Sequence, residues 1–400
     1  EFVRDDEGNP TGLLKDTAQD VVKSAIPPKS FKESLADGRR AIKAITAVGI
    51  TSATDAAADP GTLKVWKGLA SKGQMPIRLN SFVVVDASQG VKGAAAYYKA
   101  MEKKYSTERL RVPGVKMFMD GVIEYPAQTA ALIDPYLEKV GDEWVPGSNR
   151  GDIYFTQKQA NRFVTRFDRM NRRIHVHAIG DRAAKVALNA AAAARKANRS
   201  ARRDNIAIAH LQLVDPSDYG RFAKLGVYAD MQLQWAVSDF WTEDALHPFI
   251  GDERYNRLYP ARSLVKAGAP FAMGSDWPVD PLNPWNEIMT ANTRRNDYGG
   301  LLLANQSIPV ATALRAHTLG SARQLGISGK VGSVTVGKDA DLIVINRNPL
   351  KARPGSIDKT RVLRTIIRGR TVYTPGPGSS ALISRAASLS TGEAGHDHGH

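Results

Sequence analysis

Four short apolar runs in this 400-residue chain end in side chains that can bind a metal or move a proton. They are Val115-Lys116 ahead of Asp120-Gly121, His175-Val176-His177 ahead of Gly180-Asp181, Ile206 to His210, and Phe271 to Asp276. A lysine, imidazoles and a carboxylate on successive strand tips have the look of a divalent-metal site. Neutral imidazole suits zinc, and oxygen donors admit zinc or manganese. A bound divalent ion polarises a carbonyl and lowers the pKa of water to about 7, which is what hydrolysis of an unreactive bond at neutral pH requires.

Strand tips converge only if a fold gathers them. Reacting groups collect at the C-terminal strand ends of an α/β barrel, and an imidazole ending a strand before a βα turn sits on that rim. The chain alternates β-rich runs with helical ones, the pattern of a parallel sheet. Ser30 to Glu33 is a capping box for a helix that stops near Gly49, and Thr156 to Gln159 is a second. Asp181 to Ala197 is helix-forming, with Asp181 as its expected cap, and Asp215-Pro216 opens another helix. Strands are expected at 50–54, 77–85, 115–119, 173–177, 206–210, 227–233 and 270–275. That is one short of a closed barrel. Residues 1–29 hold no convincing β run, so the first strand is the one expected to be missing. The 121–155 segment reads as a long loop, and loops of that length are usually functional.

Beyond a helical region at about 309–325, the segments Gly332 to Ile345 and Val362 to Tyr373 are expected to form part of a small β module. We therefore expect an incomplete barrel over 1–325, half of a composite β-sandwich over 326–374, and a disordered tail over 375–400, rich in Ser, Gly and Ala. The first methionine is Met75, so Glu1 is not expected to be a translation start, and localisation stays open.

Composition removes several function classes. There is no cysteine, which excludes disulfides, thiolate zinc sites and cysteine nucleophiles. No apolar run approaches the ~20 residues of a membrane span. The net charge of +15 is concentrated at Arg195 to Arg203 and between Arg347 and Arg370. No interleaved aromatics or nucleic-acid motif accompany it, so it is expected to be solvated surface rather than a nucleic-acid or membrane footprint. A homo-oligomer is compatible with all of this.

In combination and order, the motifs resemble those of the YtcJ-like branch of the metal-dependent amidohydrolases. The motifs that carry the resemblance are Val115 to Glu124, Thr129 to Leu132, Pro135-Tyr136, His175 to Ala183, Ile208 to His210, Gly274 to Val279 and Gly337 to Leu342, and the likeness spans about residue 5 to residue 373. It implies a distorted TIM barrel with a β-sandwich, and hydrolysis of amide-type, non-peptide C–N bonds with one or two divalent ions, zinc above all. It implies Lys116 as a metal-bridging carboxylated lysine, His177 and His210 as imidazole ligands, and Asp276 as both ligand and general base. A lysine cannot ligate as an ammonium, but its carbamate is a bidentate oxygen anion, and lysine pKa falls readily on burial. Asp276 would take a proton from the attacking water and return it to the leaving nitrogen.

The departure from the family is at the start. Its strand-one His-x-His pair has no counterpart, since no histidine precedes His175. That keeps open a second reading, a barrel without chemistry. His175 lies on the same side as His177 by two-residue alternation and is expected as a supporting residue; Asp181 is expected to cap its helix or orient a ligand. Lys116 has an ordinary alternative, an ion pair with Asp120. Glu124, Trp235 and Trp277 are placed near the mouth as contacts for a small amide-like substrate. His247 is a weaker substrate candidate, and His317 is expected to be structural.

Overall fold

Helix caps set the rhythm of the chain. The computed structural model describes residues 2–5, 7–14, 18–199 and 203–376. In it, Ser30 and Glu33 satisfy each other's backbone N–H groups and open the Phe31–Ala47 helix. Thr156 and Gln159 do the same for Gln157–Arg169. Asp215 caps the turn that leads into Tyr219–Leu225. Between such helices lie seven parallel strands: β1 (Ser52–Ala58), β2 (Arg78–Val84), β3 (Leu110–Phe118), β4 (Arg173–Ala178), β5 (Ile206–His210), β6 (Val227–Met231) and β7 (Phe271–Met273). They hydrogen-bond in sequence order, and β1 and β7 are the two edges of a curled, open half-barrel.

The expected strands are present, with shifted ends. β1 begins at Ser52 rather than Ile50, and β3 begins at Leu110, five residues before the expected start. Pro113 and Gly114 hid that extension. Pro113 sits inside β3, and Gly114 is there because its Cα passes close to β4: a Cβ would lie 1.8 Å from the Arg173 carbonyl oxygen. Residues 1–29 do contain β structure, against expectation. Phe2–Arg4 and Pro10–Leu14 pair as an antiparallel hairpin, separate from the large sheet. The 121–155 segment is not plain loop either, since Leu137–Val140 and Glu143–Pro146 form a second hairpin.

Parallel sheets covered on both faces carry apolar residues at nearly every position. All six residues of β4 are buried. Val83, Val115, Ile174, Val176, Ile206 and Ile208 face the surrounding helices and join the main core. The other face carries rows of side chains fixed by register. One row runs Val84, Lys116, His175, Ala207, Tyr228, and the next runs Phe118, His177, Ala209, Asp230, Ala272. Deeper, Phe82 packs against Ala322, Leu325, Ile327 and Val331, so the Ser321–Gln324 helix and the residues that follow it fill that concave space.

A three-stranded antiparallel sheet follows, β8 (Leu342–Ile345), β9 (Val362–Ile367) and β10 (Arg370–Tyr373). Residues 332–337 form no strand, and Val334 and Val336 are fully exposed; that part of the expected β module is corrected. Strand formation needs a partner edge, and among the described residues that run meets none. The aspartates of Gly337 to Asp341 are structural: Asp339 and Asp341 clamp Arg78 at the start of β2, and Asp341 also accepts from the Arg368 backbone N–H. Thr365 Oγ1 donates to the Thr46 carbonyl at 2.7 Å, docking the small sheet on the Phe31–Ala47 helix.

Arg195 departs from the expected solvated cluster. It is buried against Asp168, which also takes the Asn205 side-chain amide. The tail histidines of residues 377–400 lie outside the described residues. Among the described residues, no helix is long and apolar enough to cross a membrane.

Replacing Gly114 with Ala should force β3 and β4 apart and lower stability by about 1–3 kcal/mol. Urea denaturation followed by circular dichroism tests it; an unchanged midpoint would show that the strands do not approach as described.

Candidate active site

Parallel pairing sets Lys116 beside His175 and Phe118 beside His177. Lys116 Nζ is buried, 3.4 Å from His175 Nδ1 and 4.8 Å from the centre of the Phe118 ring. Burial pulls its ammonium down to about 8, opposed by the Asp276 and Asp230 carboxylates. Asp120 is not its partner, contrary to the ion-pair alternative. That carboxylate accepts from the backbone N–H groups of Ala131 (2.9 Å), Ile179 (3.0 Å) and Gly180 (2.8 Å). Burial pushes it up to about 7 against those three bonds.

His177 Nε2 lies 2.9 Å from the Gly121 carbonyl oxygen, with Asp120 Oδ1 at 3.5 Å. A carbonyl only accepts, so Nε2 carries the hydrogen and Nδ1 keeps its lone pair. Burial, with Lys116 nearby, pushes this imidazole down to about 3, so it is neutral.

His210 reaches the same place by a different route. Ala207 and Ala209 of β5 share the rows of His175 and His177, so an extended His210 would point to the helices. Its backbone instead turns left-handed, φ +76°, followed by Leu211 at +53°. Such conformations cost a non-glycine residue of order 1–3 kcal/mol and cluster where a side chain must be aimed. The His210 N–H donates to Gln232 Oε1 at 3.0 Å, and the ring meets His177 edge-on, centroids 4.4 Å apart. Trp235 stacks on its other side at 5.4 Å. His210 Nδ1 is buried with no hydrogen-bond partner, and burial lowers this imidazole far below its ordinary range.

Asp276 follows β7, also left-handed at φ +56°. The residue is exposed overall, yet partial burial of its carboxyl raises it above the ordinary carboxylate range, opposed by Lys116. Asp230 was not foreseen. It lies on β6, receives His175 Nε2 at 3.2 Å and Gln324 Nε2 at 2.6 Å, and so links β4, β6 and the short Ser321–Gln324 helix. An acid in the middle of the apolar run Val227–Met231 was the available signal.

The outer residues divide. Glu124 is half-buried and accepts from Gln212 Nε2 at 2.8 Å, two residues beyond His210. Trp277 adjoins Asp276, and it and Trp235 each pack against the main core. Asp181 is not the helix cap, which is Gly180; its carboxylate holds the Ile133 N–H at 2.8 Å and touches neither histidine. His247 pairs with Asp252 and stacks on Tyr255. His317 Nε2 lies 3.0 Å from buried Glu287, in keeping with a structural role. Tyr125 donates its N–H to the Ala245 carbonyl and stacks on Phe249, tying the 121–155 segment to the one after β6.

The sequence profile of the amidohydrolase family matches residues 1–373. The chain belongs to the amidohydrolase family. Members of this family are metal-dependent hydrolases of C–N bonds. The chain is 28% identical to the putative amidohydrolase YtcJ of Bacillus subtilis, over 93% of its own length and 67% of that protein's. It is 25% identical to the N-substituted formamide deformylase of Arthrobacter pascens, over 92% and 66%. An uncharacterised metal-dependent hydrolase from Pyrococcus horikoshii shares the fold, with a TM-score of 0.69, 23% identity, and coverage of 88% of this chain and 67% of that one. The chain thus spans about two thirds of the length of these relatives.

Does the donor set of this amidohydrolase suit a divalent ion? Among the described residues, no three His, Asp or Glu side chains converge as a metal cluster on their own. The group that gathers needs Lys116. With it, the chemistry fits: two neutral imidazoles, one with an orphaned buried Nδ1, beside a lysine drawn towards its free amine.

Asp120→Asn turns an amide towards the Ala131 and Gly180 N–H groups. It should cost about 2–4 kcal/mol. Amide hydrogen exchange should show those two positions losing protection, and retained protection would contradict the bonding described.

Proposed function

We propose that this chain contributes the catalytic centre of a metal-dependent hydrolase for the C–N bond of a small non-peptide amide. The observation that carries the reading is the burial of neutral His177 and His210, edge to face, close to buried Lys116. Nothing about packing calls for an imidazole nitrogen buried without a partner, and a metal ligand needs one.

Lys116 would add its free amine to carbon dioxide, forming an N–C bond and releasing one proton, and so present two anionic oxygens. His177 and His210 would offer their Nδ1 lone pairs. Zinc fits this set, and manganese is an alternative. When bound, the ion would polarise the substrate carbonyl and lower the pKa of water to about 7. Asp276 Oδ would accept the proton as the water oxygen joins the carbonyl carbon, then pass it to the nitrogen as the C–N bond breaks. Amine and carboxylic acid are the products. Glu124, Trp235 and Trp277 would contact the substrate at the mouth, while His175, held by Asp230, would fix Lys116. The formamide acted on by the Arthrobacter relative makes a small N-substituted formamide the first substrate to try.

The chain loaded with zinc should hold metal by mass spectrometry and lose it on His210→Ala. Asp276→Asn should lower kcat by about 10²–10⁴-fold with the fold intact. A chain that takes up no metal and hydrolyses nothing favours the barrel without chemistry, and hydrolysis indifferent to Asp276 would remove that carboxylate from the role of general base.

A further inference from the structure

Glu287 takes no part in the hydrolytic chemistry, yet it lies wholly buried in the middle of the Pro284–Thr293 helix. Its neighbours Trp285, Ile288, Met289 and Ala291 are buried as well, so packing alone asks for an apolar side chain at this position. A carboxylate buried there is costly unless it is partnered. Glu287 Oε1 accepts from the Leu233 backbone N–H at 3.2 Å, and Oε2 lies 3.0 Å from His317 Nε2. His317 belongs to the π-helical turn Ala316–Gly320, a departure from α geometry found frequently at functional sites.

Leu233 opens the short Leu233–Trp235 turn that follows β6. Gln232, just before it, holds the His210 N–H at 3.0 Å, and Trp235, at its end, stacks on the His210 ring. Gln234 Nε2 donates to the Ser275 and Pro281 carbonyls at 3.3 and 3.4 Å, and Ser275 directly precedes Asp276. A single peptide N–H therefore anchors to the Pro284–Thr293 helix a turn that bears on two of the candidate site residues.

We propose that Glu287 is the positioning residue for His210. Its carboxylate fixes the turn that holds the imidazole in its left-handed pose over His177, and His317, standing against the second oxygen, keeps the first turned to Leu233. Naming His210 a metal ligand rests on the hydrolase reading, whereas the relay from Glu287 to His210 does not. Residues that orient a ligand from behind change metal affinity about 10–100-fold.

Three variants of the 400-residue chain test this, followed by amide hydrogen exchange without metal and by zinc titration against a chelator. Glu287→Leu removes the acceptor at similar volume, Glu287→Asp keeps the charge but draws it back by one methylene, and Glu287→Gln keeps an acceptor oxygen at the same reach. The first two should lose protection at the Leu233 and His210 amides, while Ile179 and Gly180, held by Asp120, keep theirs. Zinc should bind them at least about tenfold more weakly, and Glu287→Gln should restore both readings. If Glu287→Leu does not fold, Glu287→Asp carries the same comparison. A Glu287 that only packs would lower the urea midpoint of the variants and leave His210 protection and zinc affinity native, which overturns the proposal. A native chain that binds no zinc sinks the hydrolase reading, and exchange at His210 alone then decides whether Glu287 positions it.

Discussion

One buried carboxylate, Asp120, joins the turns on which the candidate site rests. Its oxygens take N–H groups from Ala131, in the segment after β3, and from Ile179 and Gly180, just after β4. Three backbone N–H groups that would otherwise be buried without a partner share this one acceptor, so both turns are fixed at once. The consequence reaches His177. With the two turns fixed together, the Gly121 carbonyl stands against Nε2 and selects the tautomer whose Nδ1 is available. Substituting a residue that could not accept would free both turns and the imidazole together.

Around that clamp the sheet acts as a ruler. Neighbouring strands in register put Lys116 opposite His175 and Phe118 opposite His177, one layer apart. Lys116 is buried, and loss of water favours its uncharged form against the pull of the Asp276 and Asp230 carboxylates. Asp230 and Gln324 support His175 from behind. Lys116, His175, Asp230 and Gln324 therefore form one connected network rather than isolated buried charges, which would each be costly.

Much of this was legible in the amino-acid order. Apolar runs bounded by capping boxes mark the parallel strands, because burial on both faces demands continuous hydrophobicity and helix starts need side-chain acceptors. Lys116, His177, His210 and Asp276 stood out because each ends such a run. Less was legible where long-range contact decides. Asp181 looked like a cap, but its carboxylate serves Ile133, 48 positions away. Val334 and Val336 have strand-like composition but no partner edge among the described residues, and composition cannot supply one. Asp230 passed unnoticed because its meaning comes from His175 and Gln324, on other elements.

The order of residues by itself determined the βα repeat, the types of donor at the strand tips and the absence of any thiolate, since these follow from local pattern and composition. It could not determine where His210 points. Two-residue alternation turns that side chain towards the helices. Only the folded chain, with the Gln232 side chain holding the His210 N–H and the backbone forced left-handed, swings the ring over His177. A dihedral that local preference disfavours is set by tertiary contacts, which is why this part of the site became visible only in three dimensions.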